Sequence, residues 1–359
     1  MSNWSELPQD LLLILLEKLD NLFDYIRFCS VCSSWRSVGK TDSHRIRRQP
    51  PCLLFSSGKF LPITQLQNPH PPKSPLLSLP QNTACLGSYR GWLAILNRDV
   101  TMLHLQNPVS GQQIALPPLK AIIDNHKSNY QHRTSVWPIK KAVLSSEPSS
   151  SSCFVVVICS ISDLFYCKLG DATWTRLLVP GFAESRGFSD VTYHMGQLLA
   201  LQSTGTIFTT DLNSSCPRLT KLDTVGYTWN HAYLVSCGAE LLVVSHREAC
   251  NGVTKFEVQK QDYITTQWRD VKDLGGYALF LGYNRSFAVL ATGLKGIQAN
   301  HIYFTLVKSY KIDWQYQCLP AEHEVGMYDL EQSKVKPICQ NNISIAAENT
   351  SVWWVPKIQ

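Results

Sequence analysis

The sequence predicts two parts of different class, a small all-α module at the N-terminus and a larger all-β domain of the propeller type after it. Three observations lead to this prediction. Apolar residues recur at helical spacing only in the first 44 residues or so, and short β-type runs bounded by turn residues recur after them. These runs occupy roughly 300 residues, which is long for a β-sandwich and suits a propeller of about six blades, with five to seven open.

The composition is that of a folded protein. Hydrophobic residues make up 44% of the 359 residues and charged residues 17%, which argues against disorder. The formal net charge of +6 permits an acidic partner. Nucleic-acid binding usually requires a concentrated basic face, so we expect no direct nucleic-acid partner.

The N-terminus shows no secretory or membrane signal. It lacks a basic region followed by a small-residue cleavage site, and its apolar run 11–16 is far shorter than the roughly 20 residues of a membrane span. We therefore expect a protein of the nucleus, the cytoplasm or both, neither secreted nor membrane-bound. The 12 cysteines should then be mostly reduced thiols.

The pattern of apolar residues in the N-terminal module predicts three short helices. Leu11, Leu15 and Leu19 lie four apart on one helical face, and Pro8 suits a first helical turn. A second helix follows residue 21, and a third is expected over about 31–38. A core this small usually borrows stability from a partner or a neighbouring domain.

We place the helical module at 1–44, a basic and Pro-rich connector at 45–80, and the propeller at 81–359. The connector could include the first propeller strand. It begins with a basic cluster that would suit nuclear import or contact with an acidic surface, although a solvated linker explains it at least as well. The cluster consists of Arg45, Arg47 and Arg48.

The propeller prediction rests on short runs of strand-forming residues. Three weakly similar units, which begin near Gly87, Leu164 and Val191, support a blade repeat, and Gly196 and Gly205 are expected at hairpin turns. No regular WD40 or kelch repeat is present. We expect most tryptophans to be core residues and the Ser-rich segment 145–152 to be a hairpin loop between blades. The clearest predicted strands are 92–96, 154–158, 206–210, 241–244, 256–258 and 302–306.

Catalytic and metal-binding motifs are not found. The sequence has no Gly-x-Ser-x-Gly, His-Glu-x-x-His or P-loop motif, and the pair Cys29 and Cys32 lacks a second pair at zinc-finger spacing. We therefore expect no catalytic residue, no cofactor and no metal. Four polar residues scattered over the predicted blades are expected to be structural, namely Asp190, His194, His231 and His246.

The first 40 residues resemble the F-box motif. The resemblance rests on Trp4-Ser5-Glu6-Leu7-Pro8-Gln9-Asp10-Leu11-Leu12, on Asp24-Tyr25-Ile26-Arg27-Phe28 and on Val31-Cys32-Ser33-Ser34-Trp35-Arg36, in the family's order and spacing. The chain departs from the commonest pattern at Leu19-Asp20, where many F-boxes have Leu-Pro. No apolar anchor is lost by this change.

The rest of the chain resembles a plant F-box-associated domain of the SKIP-like or KIB type, which is expected to be a β-propeller. The resemblance rests on the order of short pieces along the chain. They include Gly91-Trp92-Leu93, Asn107-Pro108, Asp190-Val191-Thr192-Tyr193, Tyr328-Asp329-Leu330 and Trp353-Trp354-Val355-Pro356.

The resemblance implies a non-catalytic receptor subunit of a cullin-type ubiquitin ligase. An F-box docks on a Skp-type adaptor, which joins it to a cullin–RING scaffold, and the propeller holds a target protein. An adaptor-bound regulator outside the ligase, or a sugar-binding or enzymatic propeller with an unrelated helical head, remains an alternative. The positions matching the family's adaptor-binding or F-box core residues, which the sequence does not separate, are Leu7, Pro8, Asp10, Leu11, Ile14, Leu15, Leu19, Val31, Cys32 and Trp35.

Overall fold

The structure is a computed structural model with a helical N-terminal module and a six-bladed β-propeller. It describes residues 4–19, 22–41, 49–55, 60–66, 83–97, 102–120, 122–124, 139–148, 152–159, 163–179, 187–226, 231–248, 254–262, 265, 267–307, 323–338 and 351–357. The helices are a 3-10 turn (Trp4–Glu6), α1 (Gln9–Glu17), α2 (Leu22–Ser30), α3 (Ser33–Thr41) and α4 (Ile63–Leu66).

The three helices of the module form where the sequence predicts them, with two shifts. Pro8 precedes α1 as its N-cap, and its carbonyl accepts the N–H of Leu12 at 3.2 Å. Helix α3 begins two residues later than predicted, because Val31 lies in the turn, where its N–H donates to the carbonyl of Phe28 at 3.2 Å.

The strands follow in regular succession along the chain. They are β1 (Cys52–Phe55), β2 (Phe60–Pro62), β3 (Thr83–Tyr89), β4 (Trp92–Asn97), β5 (Met102–Gln106), β6 (Gln113–Ala115), β7 (Ile139–Leu144), β8 (Phe154–Cys159), β9 (Leu164–Lys168), β10 (Thr175–Leu177), β11 (Phe188–His194), β12 (Gln197–Gln202), β13 (Thr206–Thr210), β14 (Thr220–Thr224), β15 (His231–Cys237), β16 (Glu240–Glu248), β17 (Thr254–Gln261), β18 (Trp268–Asp270), β19 (Tyr277–Leu281), β20 (Phe287–Leu290), β21 (His301–Val307), β22 (His323–Asp329), β23 (Lys334–Pro337) and β24 (Ser351–Trp354).

These strands form six sheets, which confirms the predicted propeller and its six blades. Blades 2 to 5 are the sequential antiparallel sheets β3–β6, β7–β10, β11–β14 and β15–β18. Blade 1 has the order β2-β1-β24, and blade 6 has the order β20-β19-β21-β22-β23. The strands β1 and β2 lie within segment 45–80, which we placed as a connector that could include the first propeller strand.

The C-terminal strand closes the ring. Strand β24 pairs antiparallel with β1, from Cys52 opposite Trp354 to Phe55 opposite Ser351. Trp353 is fully buried, and its indole N–H donates to the carbonyl of Leu281 in blade 6 at 3.0 Å. Its own carbonyl accepts a hydrogen bond of 2.8 Å from the Ser88 hydroxyl in blade 2. One residue of β24 therefore joins the blades on both sides.

The innermost strands of the blades surround a common axis. Contacts run from β24 to β3, β7, β11, β15 and β20 in turn. Strands β3 and β7 approach so closely that a Cβ added at Gly87 would collide with the carbonyl oxygen of Ala142. Only glycine fits at this point of the sheet.

Blade 6 departs from the regular pattern. The hairpin β19–β20 turns toward the axis, so the next strand, β21, lies beside β19 and runs parallel to it. Every other strand pair of the described propeller is antiparallel.

The predicted repeat units fall in blades 2, 3 and 4, and the predicted turns at Gly196 and Gly205 are present with φ of 82° and 84°. The prediction for the Ser-rich segment 145–152 is wrong in one respect. It joins β7 to β8 inside blade 3 and does not link two blades. The Ser145 hydroxyl accepts the N–H of Phe154 at 2.8 Å, which ties the two ends of this loop together.

The helical module completes its core against the propeller. Buried side chains of all three helices form one hydrophobic cluster with residues of β1, β2, β3, β4 and β24. The module's buried members are Leu12, Leu16, Tyr25, Phe28 and Val38. The propeller's members include Cys52, Leu54, Phe60, Leu93 and Trp354. The small core thus gains the neighbouring surface that its size requires.

Candidate functional site

Helix α1 has two apolar faces, of which one is exposed and the other is buried. Leu11, Ile14 and Leu15 are 47%, 52% and 39% exposed, and their spacing of i, i+3 and i+4 places them on one face. Leu12 and Leu16, on the adjacent face, are buried in the cluster shared with the propeller. The three exposed side chains are called the α1 stripe below.

The apolar surface extends beyond α1. Trp4 and Val31 are also exposed, as is Pro8. Of the eleven large hydrophobic side chains that are exposed in the described part of the chain, five therefore lie between residues 4 and 31. Such a concentration of exposed apolar side chains makes this part of the module a candidate interaction site.

Side-chain contacts fix the helices that carry this surface. The indole N–H of Trp35 donates to the carbonyl of Trp4 at 3.0 Å, and its ring packs on Phe28 with the centroids 4.6 Å apart. The buried hydroxyl of Tyr25 donates to the carbonyl of Gly39 at 2.9 Å and ties α2 to α3. The apolar surface is therefore presented on a rigid support.

The structure separates the ten sequence-predicted F-box positions into two sets. Six are exposed, namely Pro8, Asp10, Leu11, Ile14, Leu15 and Val31, and four are partly buried, namely Leu7, Leu19, Cys32 and Trp35. The deepest core positions, Leu12 and Leu16, are missing from that list. Leu12 and Leu16 lie four apart, as Leu11 and Leu15 do, so this spacing does not distinguish the buried face of α1 from the exposed one. The basic cluster Arg45, Arg47 and Arg48 lies outside the described residues.

The thiol of Cys29 lacks the lowered pKa of a reactive cysteine. Cys29 and Cys32 are both free thiols, and burial raises the pKa of Cys29 above its ordinary value. A raised pKa keeps the thiol protonated and less nucleophilic. In the described part of the chain, no three or more His, Cys, Asp or Glu side chains are placed to hold a metal ion.

Asp190 forms a buried link between three blades. Its carboxylate pairs with the ammonium group of Lys141 on β7 and accepts the N–H of Leu234 on β15 at 2.8 Å. Asp190 lies on β11, so the link runs from blade 3 through blade 4 to blade 5. No local pattern singles out Lys141, because the pairing joins residues 49 positions apart.

The predicted histidines also take part in contacts within the propeller. The distance between His194 Nδ1 and Ser236 Oγ is 2.9 Å, which is a hydrogen-bond distance. His231 and His246 are directly opposite each other on β15 and β16, with their rings stacked at a centroid distance of 5.1 Å. Burial lowers the pKa of His246 to about 4, and His231 beside it lowers the pKa further.

The comparisons with known proteins agree with this architecture. The F-box domain family matches residues 4–47, and the family described as KIB1-4 beta-propeller matches residues 60–329. The Cps50 (Swd1) beta-propeller domain of Myceliophteria_thermophila covers 69% of this chain and 70% of its own at 10% identity, and its TM-score of 0.36 is too low to add to the fold described above. Within the described residues, every helix is too short or too polar to span a bilayer.

Three relatives come from Arabidopsis thaliana. "F-box protein At2g26160" is 26% identical over 84% of this chain and 95% of its own length. "Putative F-box protein At1g65770" is 27% identical over 87% and 92%. "F-box protein SKIP23" is 25% identical over 82% and 81%. Because the propeller match covers well over half of the residues, the chain belongs to the family of F-box proteins that carry a KIB1-4 beta-propeller.

Proposed function

We propose that this chain is the substrate-recognition subunit of an SCF-type (Skp–cullin–F-box) E3 ubiquitin ligase. The F-box binds the Skp-type adaptor and, through it, the cullin–RING scaffold, while the propeller binds a target protein. The observation that carries the proposal is the α1 stripe of Leu11, Ile14 and Leu15. The propeller covers the other face of the same helix and leaves this face free.

The physical argument for a partner is the cost of leaving this surface in water. Removing apolar surface from water is favourable by about 25 cal/mol per Å². Because the F-box has already packed its other face on the propeller, the stripe has no core of its own to join. A partner with a complementary apolar groove is the remaining way to remove it from water.

The chain's own role in the reaction is to hold the target. Bringing two reactants into one assembly raises their effective concentration, so the receptor needs no bond-making residue. We therefore assign catalysis to the other ligase subunits and no catalytic residue to this chain. The adaptor, the cullin scaffold and the target are all parts of the proposal.

Reconstitution with purified subunits tests the proposal. The full-length chain is mixed with a Skp-type adaptor and a cullin and separated by size-exclusion chromatography. We expect one complex that contains all three, and we expect the Ile14→Asp variant to elute alone. Met195→Asp is the matched control, because Met195 is a well-exposed apolar residue on the β11–β12 turn of the propeller.

The other outcomes are also informative. A complex of chain and adaptor that excludes the cullin would replace the ligase role with that of an adaptor-bound regulator. A folded chain that does not bind the adaptor would contradict the proposal altogether.

A further inference from the structure

A cavity of about 500 Å³ lies on the axis of the propeller. Its walls come from the innermost strands of five blades, β3, β7, β11, β15 and β20. This volume falls in the usual range for small-molecule sites, which is about 300–1,000 Å³. Residues of the adjoining turns, among them Arg90, Arg285 and Ser286, complete the lining.

The cavity has an unbalanced positive charge. Arg90, Lys141 and Arg285 line it, and no Asp or Glu is among the described residues of the lining. Lys141 is neutralised by Asp190. Neither Arg90 nor Arg285 forms an ion pair with a carboxylate in the described part of the chain. Two guanidinium groups therefore have no counter-ion there.

The Arg285 guanidinium packs against two aromatic rings, and its N–H groups lie along its edge. Its central carbon lies 5.3 Å from the ring centroid of Tyr89 and 4.8 Å from that of Phe287. These cation–π contacts fix the plane of the group. Within the described residues, one of its five N–H donors has a partner, the Ser88 hydroxyl oxygen at 3.5 Å.

The surroundings of Arg285 disfavour the charged form of its guanidinium group. Burial lowers the pKa of Arg285 to about 10, and the nearby Arg90 lowers it as well. The group still carries its charge near pH 7. An anion placed beside it would reduce this cost, since an opposite charge favours the charged form.

A second polar group of the cavity also lacks a partner. The Ser286 side chain lines the cavity and is only 7% exposed, and among the described residues its hydroxyl oxygen has no hydrogen-bond partner. Buried hydroxyls in native proteins are nearly always hydrogen-bonded, so an unsatisfied one next to an unpaired arginine requires an explanation.

We propose that the axial cavity binds a small organic anion that carries a carboxylate or phosphate group. The edge of Arg285 offers the paired N–H donors that such a group accepts, and the Ser286 hydroxyl donates a further hydrogen bond. Arg90 is exposed on the β3–β4 turn and attracts the anion at the mouth of the cavity. This site is additional to the protein partners proposed above.

Calorimetric titration of the full-length chain tests this proposal, with citrate as the carboxylate probe and inorganic pyrophosphate as the phosphate probe. We expect at least one probe to bind, and the comparison shows which anionic group the site prefers. Arg90→Gln and Arg285→Lys should each weaken binding roughly tenfold to a hundredfold. The lysine keeps a cation between the two rings, which protects the fold, but it loses the paired donors.

Arg218→Gln is the matched control, because Arg218 is an exposed arginine outside the cavity, between β13 and β14. It should bind the probe as the unchanged chain does. The proposal is overturned if neither probe binds at millimolar concentration, if folded Arg90→Gln and Arg285→Lys proteins bind as before, or if Arg218→Gln weakens binding equally. The assay contains no adaptor, so its result is independent of the F-box proposal.

Discussion

Leu11 and Leu12 are neighbours in the chain, yet Leu11 is 47% exposed and Leu12 is completely buried. Leu12 belongs to the hydrophobic cluster that α1 shares with the propeller, and Leu11 begins the exposed stripe. One short helix thus packs in the shared core with one face and leaves the other face exposed. The two leucines are chemically identical, so their substitutions should separate stability from binding.

Substitution of this pair is the first test. Leu12→Ala should lower the free energy of unfolding by about 2–5 kcal/mol, because it removes a buried side chain and leaves a cavity. Leu11→Ala should change it by no more than about 0.5 kcal/mol, as for other surface sites. Urea denaturation of the two variants measures the difference. Equal effects would show that the two faces of α1 are not distinct.

Much of the fold follows from local sequence pattern. The segment 206–210 is a short run of strand-forming residues bounded by turn residues, and it forms β13 within those limits. The F-box helices likewise follow from the local spacing of apolar residues. The leucines at 11, 12, 15 and 16 are apolar on two adjacent faces, however, and nothing in their own sequence tells which face the propeller covers. That choice depends on residues more than 300 positions away, such as Trp354.

Other features escape the sequence because they depend on distant partners. Strand β24 lies in blade 1 only because it pairs with β1, almost 300 residues earlier. The inward turn of β19–β20 is defined by the parallel pairing of β19 with the later strand β21, so no local pattern reveals it. The cavity arginines were not predicted for the same reason, since Arg90 and Arg285 are brought together by the closure of the ring.

The close approach of β3 and β7 gives a second prediction. Gly87→Ala should destabilise the propeller by about 1–3 kcal/mol or more, because the added methyl group collides with the backbone carbonyl of Ala142. Gly226→Ala is the control, since a Cβ there meets nothing within 4 Å. Thermal unfolding of both variants measures the effect. A Gly87→Ala protein as stable as the control would contradict the described packing of blades 2 and 3.

The buried link at Asp190 gives a third prediction. Asp190→Ala leaves the buried ammonium group of Lys141 without a counter-ion and the Leu234 N–H without its acceptor. We expect a loss of about 3–5 kcal/mol in the free energy of unfolding. Glu240→Ala removes the exposed pair with Lys260 and should cost no more than about 1 kcal/mol. Denaturant titration compares them, and similar losses would argue against a special role for Asp190.

The pH dependence of stability gives a fourth prediction. The pKa of His246 is lowered from 6.5 to about 4, so the unfolded chain binds more protons than the folded chain between these pH values. Stability is therefore retained above pH 6.5 and lost as the pH falls toward 4. Burial also lowers the pKa of His104 and His194, which add to the same loss.

The substitution His246→Phe isolates the share of this residue. It keeps a ring beside Tyr233 and Phe256 and removes the titrating group. The free energy of unfolding, measured at intervals from pH 7.5 to 4.5, should fall less steeply in the variant. Identical slopes would mean that His246 is not held neutral in the folded state.

The affinity of the full-length chain for a purified Skp-type adaptor tests the central claim most directly. The double variant Leu11→Asp, Ile14→Asp should bind the adaptor at least about thirtyfold more weakly, as expected for a pair of central apolar contacts. The double variant Leu178→Asp, Met195→Asp changes two exposed apolar residues of the propeller and should bind as the unchanged chain does. Equal affinity of all three folded proteins, or no binding by the unchanged chain, would contradict the assignment of the α1 stripe as the adaptor-binding surface.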